Sequence, residues 1–236
     1  MARGYRTLDS DAVIATCERL RFRVEERFPG SSLYKVADEL LTVARASAAT
    51  SAAIHKPDWR LRLATWTAVA ALLGAVPAVL VFLHRDEALT HLGSFIQISE
   101  AGLNLLMLIG AAVFFLVTVE HRVKRRKALR ALHELRSLAH IIDMHQLTKD
   151  PERLFVQGEN TKSSPERKMS PFELSRYLDY CSEMLSLIGK IAALYAQYFE
   201  DEVALTAVDE LEDLTTALSR NIWQKIVILG SAPSSR

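Results

Sequence analysis

The chain has 236 residues, of which half are hydrophobic and 24% are charged, and its formal net charge is +1. A nearly neutral chain gives no overall electrostatic case for a nucleic-acid partner. Cys17 and Cys181 lie far apart, in neither a disulfide framework nor a metal-ligand spacing. The first fifteen residues contain no apolar core, so we expect no cleavable signal peptide.

Two amphipathic helices are predicted in the N-terminal region, residues 1–58. Apolar residues of the first recur at spacings of four, three and four, which is typical of a helix: Val13, Cys17, Leu20 and Val24. Residues 20–24 also alternate in polarity, so a short strand is an alternative there. After Pro29 and Gly30, a serine can cap a second helix; its apolar stripe is Leu33, Val36, Ala37, Leu40 and Ala44.

Two long uncharged segments follow, at residues 63–83 and 101–119. At the helical rise they would extend about 30 Å and about 28 Å, which matches the hydrocarbon thickness of a bilayer. A soluble chain of this size could hardly bury two such helices. The sequence therefore predicts an all-α integral membrane protein with a two-span transmembrane hairpin over 59–120, an external loop at 84–100 and cytoplasmic helices at both ends.

Basic residues at both outer flanks of the hairpin set its predicted orientation. The first span is preceded by Lys56, Arg60 and Arg62, whereas the loop 84–100 holds one arginine against three acidic residues. The positive-inside rule then places both termini in the cytoplasm of a cell, or bacterial inner, membrane. Residues predicted to contact anionic lipid headgroups follow the second span: Arg122, Lys124, Arg125, Arg126 and Lys127.

Small residues and one amide distinguish the interiors of the spans. Close helix packing is predicted at Ala70, Gly74, Ala78 and Gly110. Asn104 is predicted either to bond across the hairpin within one chain, which we favour, or to line a water-filled lumen. No acidic or basic residue lies within either span, which argues against a proton relay.

A helix over 121–150 is predicted to continue the second span. Its apolar residues repeat at heptad-like spacing, and the partner of this seam is either the same chain or another copy: Ala128, Leu132, Leu135, Ala139 and Ile142. His133, His140 and Asp143 are weak candidates for metal ligands, and we favour an ordinary polar helix face. We expect no bound metal or other cofactor.

The C-terminal part is predicted to form a helical hairpin. A linker, 151–170, ends at Ser170. Together with Pro171 and Glu173, this serine is arranged as a capping box at the start of the next helix. Helices over 171–229, interrupted near the acidic stretch 200–202, and a tail, 230–236, complete the chain.

No sequence motif indicates catalysis. The chain contains neither G-x-x-x-x-G-K nor G-x-S-x-G nor a zinc-protease signature, so we do not expect an enzyme. Two functions fit: a self-assembling membrane protein acting as a pore, channel or effector, or a membrane-anchored scaffold that binds a cytoplasmic protein. In layout alone the chain resembles two-span helical effectors of bacterial defence systems. The expected partners are lipid, further copies and a cytoplasmic protein, not nucleic acid.

Overall fold

The computed structural model describes residues 7–84, 92–151, 162–163 and 169–231, with the side chains of 75–84, 92–99 and 101 left out of the description. This part of the chain is helical and contains no strand, which confirms the all-α prediction. The strand alternative at residues 20–24 is wrong, because these residues lie within the first helix. The helices are α1 Ser10–Arg27, α2 Ser32–His55, α3 Trp59–His84, α4 Leu92–Leu147, α5 Pro171–Ala196 and α6 Glu202–Gly230.

The chain divides into two compact units, Met1–His55 with Lys127–Arg236, and Lys56–Arg126. The first unit contains α1, α2, α5, α6 and the C-terminal part of α4. The second contains α3 and the N-terminal part of α4. Helix α4 is continuous from Leu92 to Leu147 and belongs to both units.

Contacts at the helix ends give the directions of the helices in the first unit. The backbone N–H of Leu8, before α1, donates to Oε1 of Gln197, after α5, at 3.0 Å. At the other end of α1, the Phe28 ring packs edge-on against Tyr177, near the start of α5. Helix α1 is therefore antiparallel to α5. The His55 ring, at the end of α2, lies 4.9 Å from the Tyr198 ring, so α2 runs parallel to α5.

Helices α4 and α6 are held side by side by two polar contacts. Nη2 of Arg136 lies 2.7 Å from Oε2 of Glu210. Further along both helices, Nζ of Lys225 donates to Oε1 of Gln146 at 2.6 Å and to its backbone oxygen at 3.0 Å. The sequence order of these pairs makes α4 and α6 parallel. The same backbone oxygen of Gln146 also accepts from the backbone N–H of Lys149 at 3.0 Å, so two donors meet it at the C-terminal end of α4.

The hydrophobic core of this unit is formed by the apolar stripes of all five helices. The stripes predicted for α1 and α2 are buried, and α5 contributes the largest number of buried side chains. The heptad-like seam of α4 belongs to the same core, with Ala128, Leu132, Leu135, Ala139 and Ile142 all buried. The partner of this seam is therefore the same chain.

The helix ends follow local sequence signals. The Ser170 hydroxyl accepts from the backbone N–H of Glu173 at 3.2 Å, and the Glu173 carboxylate accepts from the backbone N–H of Ser170 at 2.8 Å, so the predicted capping box is confirmed. The chain breaks at the acidic stretch, where the buried Asp201 caps α6 by accepting from the N–H of Ala204. Gly30 adopts φ 67° between α1 and α2, a conformation that glycine adopts without strain.

Candidate membrane interface

The most unusual surface of the protein is the uncharged segment 102–119 of α4. No residue of this segment is buried. Its exposed large apolar side chains are Leu103, Leu106, Met107, Leu108, Phe114, Phe115 and Val117. Within the described residues, α4 is the one helix long and apolar enough to cross a membrane. A core helix of a soluble protein would be mostly covered by its own fold, whereas the described side chains of this segment are not buried.

The first predicted span lies in α3, which extends from Trp59 to His84 as one helix. Trp59, Leu63, Trp66 and Leu73 are exposed on it. The side chains of residues 75–84, including the predicted packing residue Ala78, lie outside the description. Of the predicted loop 84–100, residues 85–91 also lie outside the described residues, whereas residues 92–100 form the first turns of α4. A second membrane-crossing helix is therefore a prediction, whereas one apolar helix in α4 is an observation.

A group of charged side chains marks the C-terminal end of the apolar segment. Glu120 Oε2 accepts from Nε of Arg62 at 2.7 Å, and Glu120 Oε1 lies 3.0 Å from Nζ of Lys124. The same Oε1 accepts from the backbone N–H of Asp58 at 3.2 Å. Asp58 itself accepts from the N–H of Leu61 through its side chain, as an N-cap residue does. One carboxylate therefore joins the first turn of α3 to α4.

The environment of Glu120 favours its ionised form. Partial burial raises the pKa of this carboxyl group, but the hydrogen bonds from Arg62, Lys124 and the Asp58 backbone outweigh burial and lower the pKa from 4.5 to about 2. Although Glu120 belongs to α4, its carboxylate contacts the start of α3, where it also interacts with the positive end of the α3 dipole. Glu120 is consequently a charged residue throughout the physiological pH range.

Sequence reasoning did not single out Glu120 or Asp58. The available signal was one glutamate directly after an uncharged segment, with basic residues on both flanks of the predicted hairpin. Such a carboxylate is expected to find a cation, but its partner 58 residues earlier could not be read from spacing along one helix.

The five predicted headgroup residues have different surroundings. Lys124 is largely covered and paired with Glu120. Arg125 is half-buried and also has an interaction partner. Arg122, Arg126 and Lys127 are exposed, and the Arg122 guanidinium lies over the Phe115 ring at 4.6 Å. The cluster therefore combines residues engaged in contacts within the protein with residues that face outward.

Three of the four predicted packing positions, Ala70, Gly74 and Gly110, are exposed within the part of the chain that the structure describes. A Cβ atom at Gly74 or Gly110 would meet no described atom within 4 Å. Ala70 and Asn104 are exposed, and within the described residues the Asn104 amide makes no hydrogen bond. Packing at these positions therefore stays a prediction, and it would require a neighbour beyond the contacts described for this chain.

The histidine face of α4 is a polar surface. His133 and His140 are exposed, and the Asp143 carboxylate accepts from Nε2 of Gln146 at 2.6 Å. The described part of the chain contains no group of three or more His, Cys, Asp or Glu residues placed to hold a metal ion. Cys17 and Cys181 are both free and buried, and burial raises the pKa of each thiol, to about 11 and about 12, so neither is an activated nucleophile.

A polar cleft of about 510 Å³ opens between α1 and α5, lined by Arg23, Glu26, Arg27, Glu173, Arg176 and Tyr180. Two of its arginines are neutralised by neighbours on α5. Arg23 forms a two-point ion pair with Glu183, at 2.7 and 3.0 Å, and Arg176 pairs with Asp179. Positive and negative side chains therefore nearly balance, and the cleft does not define the charge of a ligand.

Comparisons with known proteins add no family: no protein-family model, no curated protein and no solved structure matches this chain. The interface must therefore be interpreted from its own geometry and chemistry.

Proposed function

We propose that this chain is a two-span membrane protein that assembles with copies of itself, with both termini and the helical bundle in the cytoplasm. The observation that supports it most directly is the uncharged, exposed segment 102–119 of α4. Contact between such a surface and water is unfavourable, whereas contact with the hydrocarbon of a bilayer is not. The uncharged sequence 63–83, carried on α3, supplies the first span of the proposed hairpin.

Self-assembly is supported by Asn104. In hydrocarbon an amide without a hydrogen-bond partner costs several kcal/mol, roughly the energy of a lost hydrogen bond in an apolar medium. Asn104 is exposed, and the uncovered Gly110 lies on the same helix. A neighbouring hairpin could approach closely at the glycine and bond to the amide. If several hairpins surround an axis, Asn104 would instead face a lumen, and the assembly would be a pore or channel.

The alternative function is a membrane-anchored scaffold, which requires a binding surface on the bundle. Met144 and Leu147 at the end of α4 are exposed, as are Trp223 and Val227 near the end of α6. Exposed aromatic and methionine side chains are common at sites of protein association. A cytoplasmic protein that binds this end of the bundle would favour the scaffold. The seam of α4 does not contribute to assembly under either function, because it is buried within the chain.

The molar mass of the purified protein in detergent, measured by light scattering with the detergent contribution subtracted, separates these functions. A closed assembly of several copies supports the self-assembly proposal, and conductance recordings would then test for a pore. A monomer at all concentrations contradicts it and favours the anchored scaffold. Extraction of the protein from membranes by alkaline carbonate would contradict the membrane-spanning proposal itself.

A further inference from the structure

The exposed basic residues after the apolar segment do not have equal roles, and two of them define a site. We propose that Arg122 and Arg126 together bind the phosphate group of an anionic phospholipid. This inference rests on the proposed membrane function, since it places the two arginines beside a bilayer. It goes further by assigning a stoichiometric lipid site to two side chains, where the charge pattern alone indicates only general attraction to a negative surface.

The position of the Arg122 guanidinium supports this site. Side chains on a helix point toward its N-terminus, and that of Arg122 lies over the ring of Phe115, with 4.6 Å from Cζ to the ring centroid. Phe115 belongs to the uncharged segment, so the charge of Arg122 is held at the edge of the apolar surface. If residues 102–119 occupy the hydrocarbon layer, this edge lies at the depth of the lipid phosphates.

The spacing of the two arginines along α4 also supports the site. Arg126 follows Arg122 by four residues, and side chains at this spacing are neighbours on one face of a helix, with about 5–6 Å between their Cβ atoms. Both arginines are exposed. A guanidinium presents its N–H donors in a planar fork that matches two oxygens of a phosphate. Two such groups one turn apart can bind the same phosphate from adjacent directions.

The nearest carboxylate does not compete with a phosphate for these two arginines. Glu120 is the nearest acidic residue along the helix, but its oxygens already accept from Arg62, Lys124 and the backbone of Asp58. Among the described residues, no carboxylate forms an ion pair with Arg122 or Arg126. Their hydrogen-bond donors are therefore available to an anion, whereas that of Lys124 is engaged within the protein.

The experiment uses the full chain in a neutral detergent, titrated separately with phosphatidylglycerol and phosphatidylcholine, with bound lipids counted by native mass spectrometry. The wild-type protein is expected to bind about one phosphatidylglycerol per chain in preference to phosphatidylcholine. Arg122→Gln/Arg126→Gln should weaken this binding by at least tenfold, an order of magnitude consistent with the loss of charge-assisted hydrogen bonds. Lys35→Gln/Arg220→Gln removes two exposed charges from the bundle and should leave it unchanged.

A lysine variant separates a site from general attraction. Arg122→Lys/Arg126→Lys keeps both charges but loses the planar fork, so its affinity should also fall, by several-fold. Wild-type affinity in the lysine variant, or in the glutamine variant, would overturn the proposed site. Failure of the membrane function has a different signature, because the wild-type chain would then be released from membranes by alkaline carbonate before any lipid is added.

Discussion

Glu120 Oε2 lies 2.7 Å from Nε of Arg62, although 58 residues separate them in the chain. This contact joins the first turn of α3 to α4 where the apolar segment ends. Glu120 also accepts from the backbone N–H of Asp58, which directly precedes α3. A single carboxylate therefore fixes the start of α3 by both a side-chain and a main-chain contact. Its removal should affect how α3 and α4 associate.

Glu120→Gln should destabilise the protein by about 1 kcal/mol, because an amide of the same shape loses the charge-assisted hydrogen bonds at a partly exposed site. Thermal unfolding of the purified protein in detergent measures the change. Arg62→Gln should have a similar effect, and the double variant should be little worse than either single one. Strictly additive losses would show that the two side chains are not coupled.

The stabilisation of the folded protein by Glu120 should disappear in acid. Because its pKa is lowered from 4.5 to about 2 in the folded protein, the folded state favours the ionised form. The stabilisation is then complete above about pH 4.5 and is lost as the pH falls toward 2. The difference in melting temperature between wild type and Glu120→Gln should be constant near neutral pH and shrink below pH 4.5. A difference that grew in acid would contradict this assignment.

The apolar surface of α4 can be tested with two methionines of nearly equal exposure. Met107 is 66% exposed within the apolar segment, and Met144 is 67% exposed near the C-terminal end of the same helix. If residues 102–119 span a membrane, Met107→Arg should oppose insertion by about 2.5–3.5 kcal/mol. Met144→Arg should have almost no effect. The ratio of inserted to uninserted chains in a membrane-insertion assay measures both, and equal effects would contradict a span at 102–119.

The seam of α4 allows a similar comparison. Leu135 is 0% exposed, whereas Leu147 is 61% exposed. Leu135→Ala should lower the free energy of unfolding by about 2–5 kcal/mol, because it leaves a cavity in the core. Leu147→Ala should change it by less than about 0.5 kcal/mol. Since the seam packs within one chain, the mass of the assembly in detergent should be unchanged at temperatures where Leu135→Ala remains folded.

The helices could be predicted from local signals because those signals act within a few residues. The spacing of Val13, Cys17, Leu20 and Val24 predicted α1, and Ser170 with Glu173 predicted the start of α5. The partner of the α4 seam could not be predicted, because two heptads do not distinguish one chain from two. The Glu120–Arg62 contact was also out of reach, because it depends on how two distant helices associate.

Asn104 provides the most direct test of the proposed assembly through membrane spans. Its amide is exposed on an apolar helix, and such a group in hydrocarbon is stabilised by a bond to a neighbouring helix, typically by about 0.6–2 kcal/mol. If that helix belongs to another copy, Asn104→Leu should shift the mass in detergent toward smaller species at a given protein concentration. The matched control Thr118→Val removes a hydroxyl that already bonds to the carbonyls of Phe114 and Phe115, and it should leave the mass unchanged. An unchanged assembly with altered conductance in Asn104→Leu would instead place the amide in a lumen.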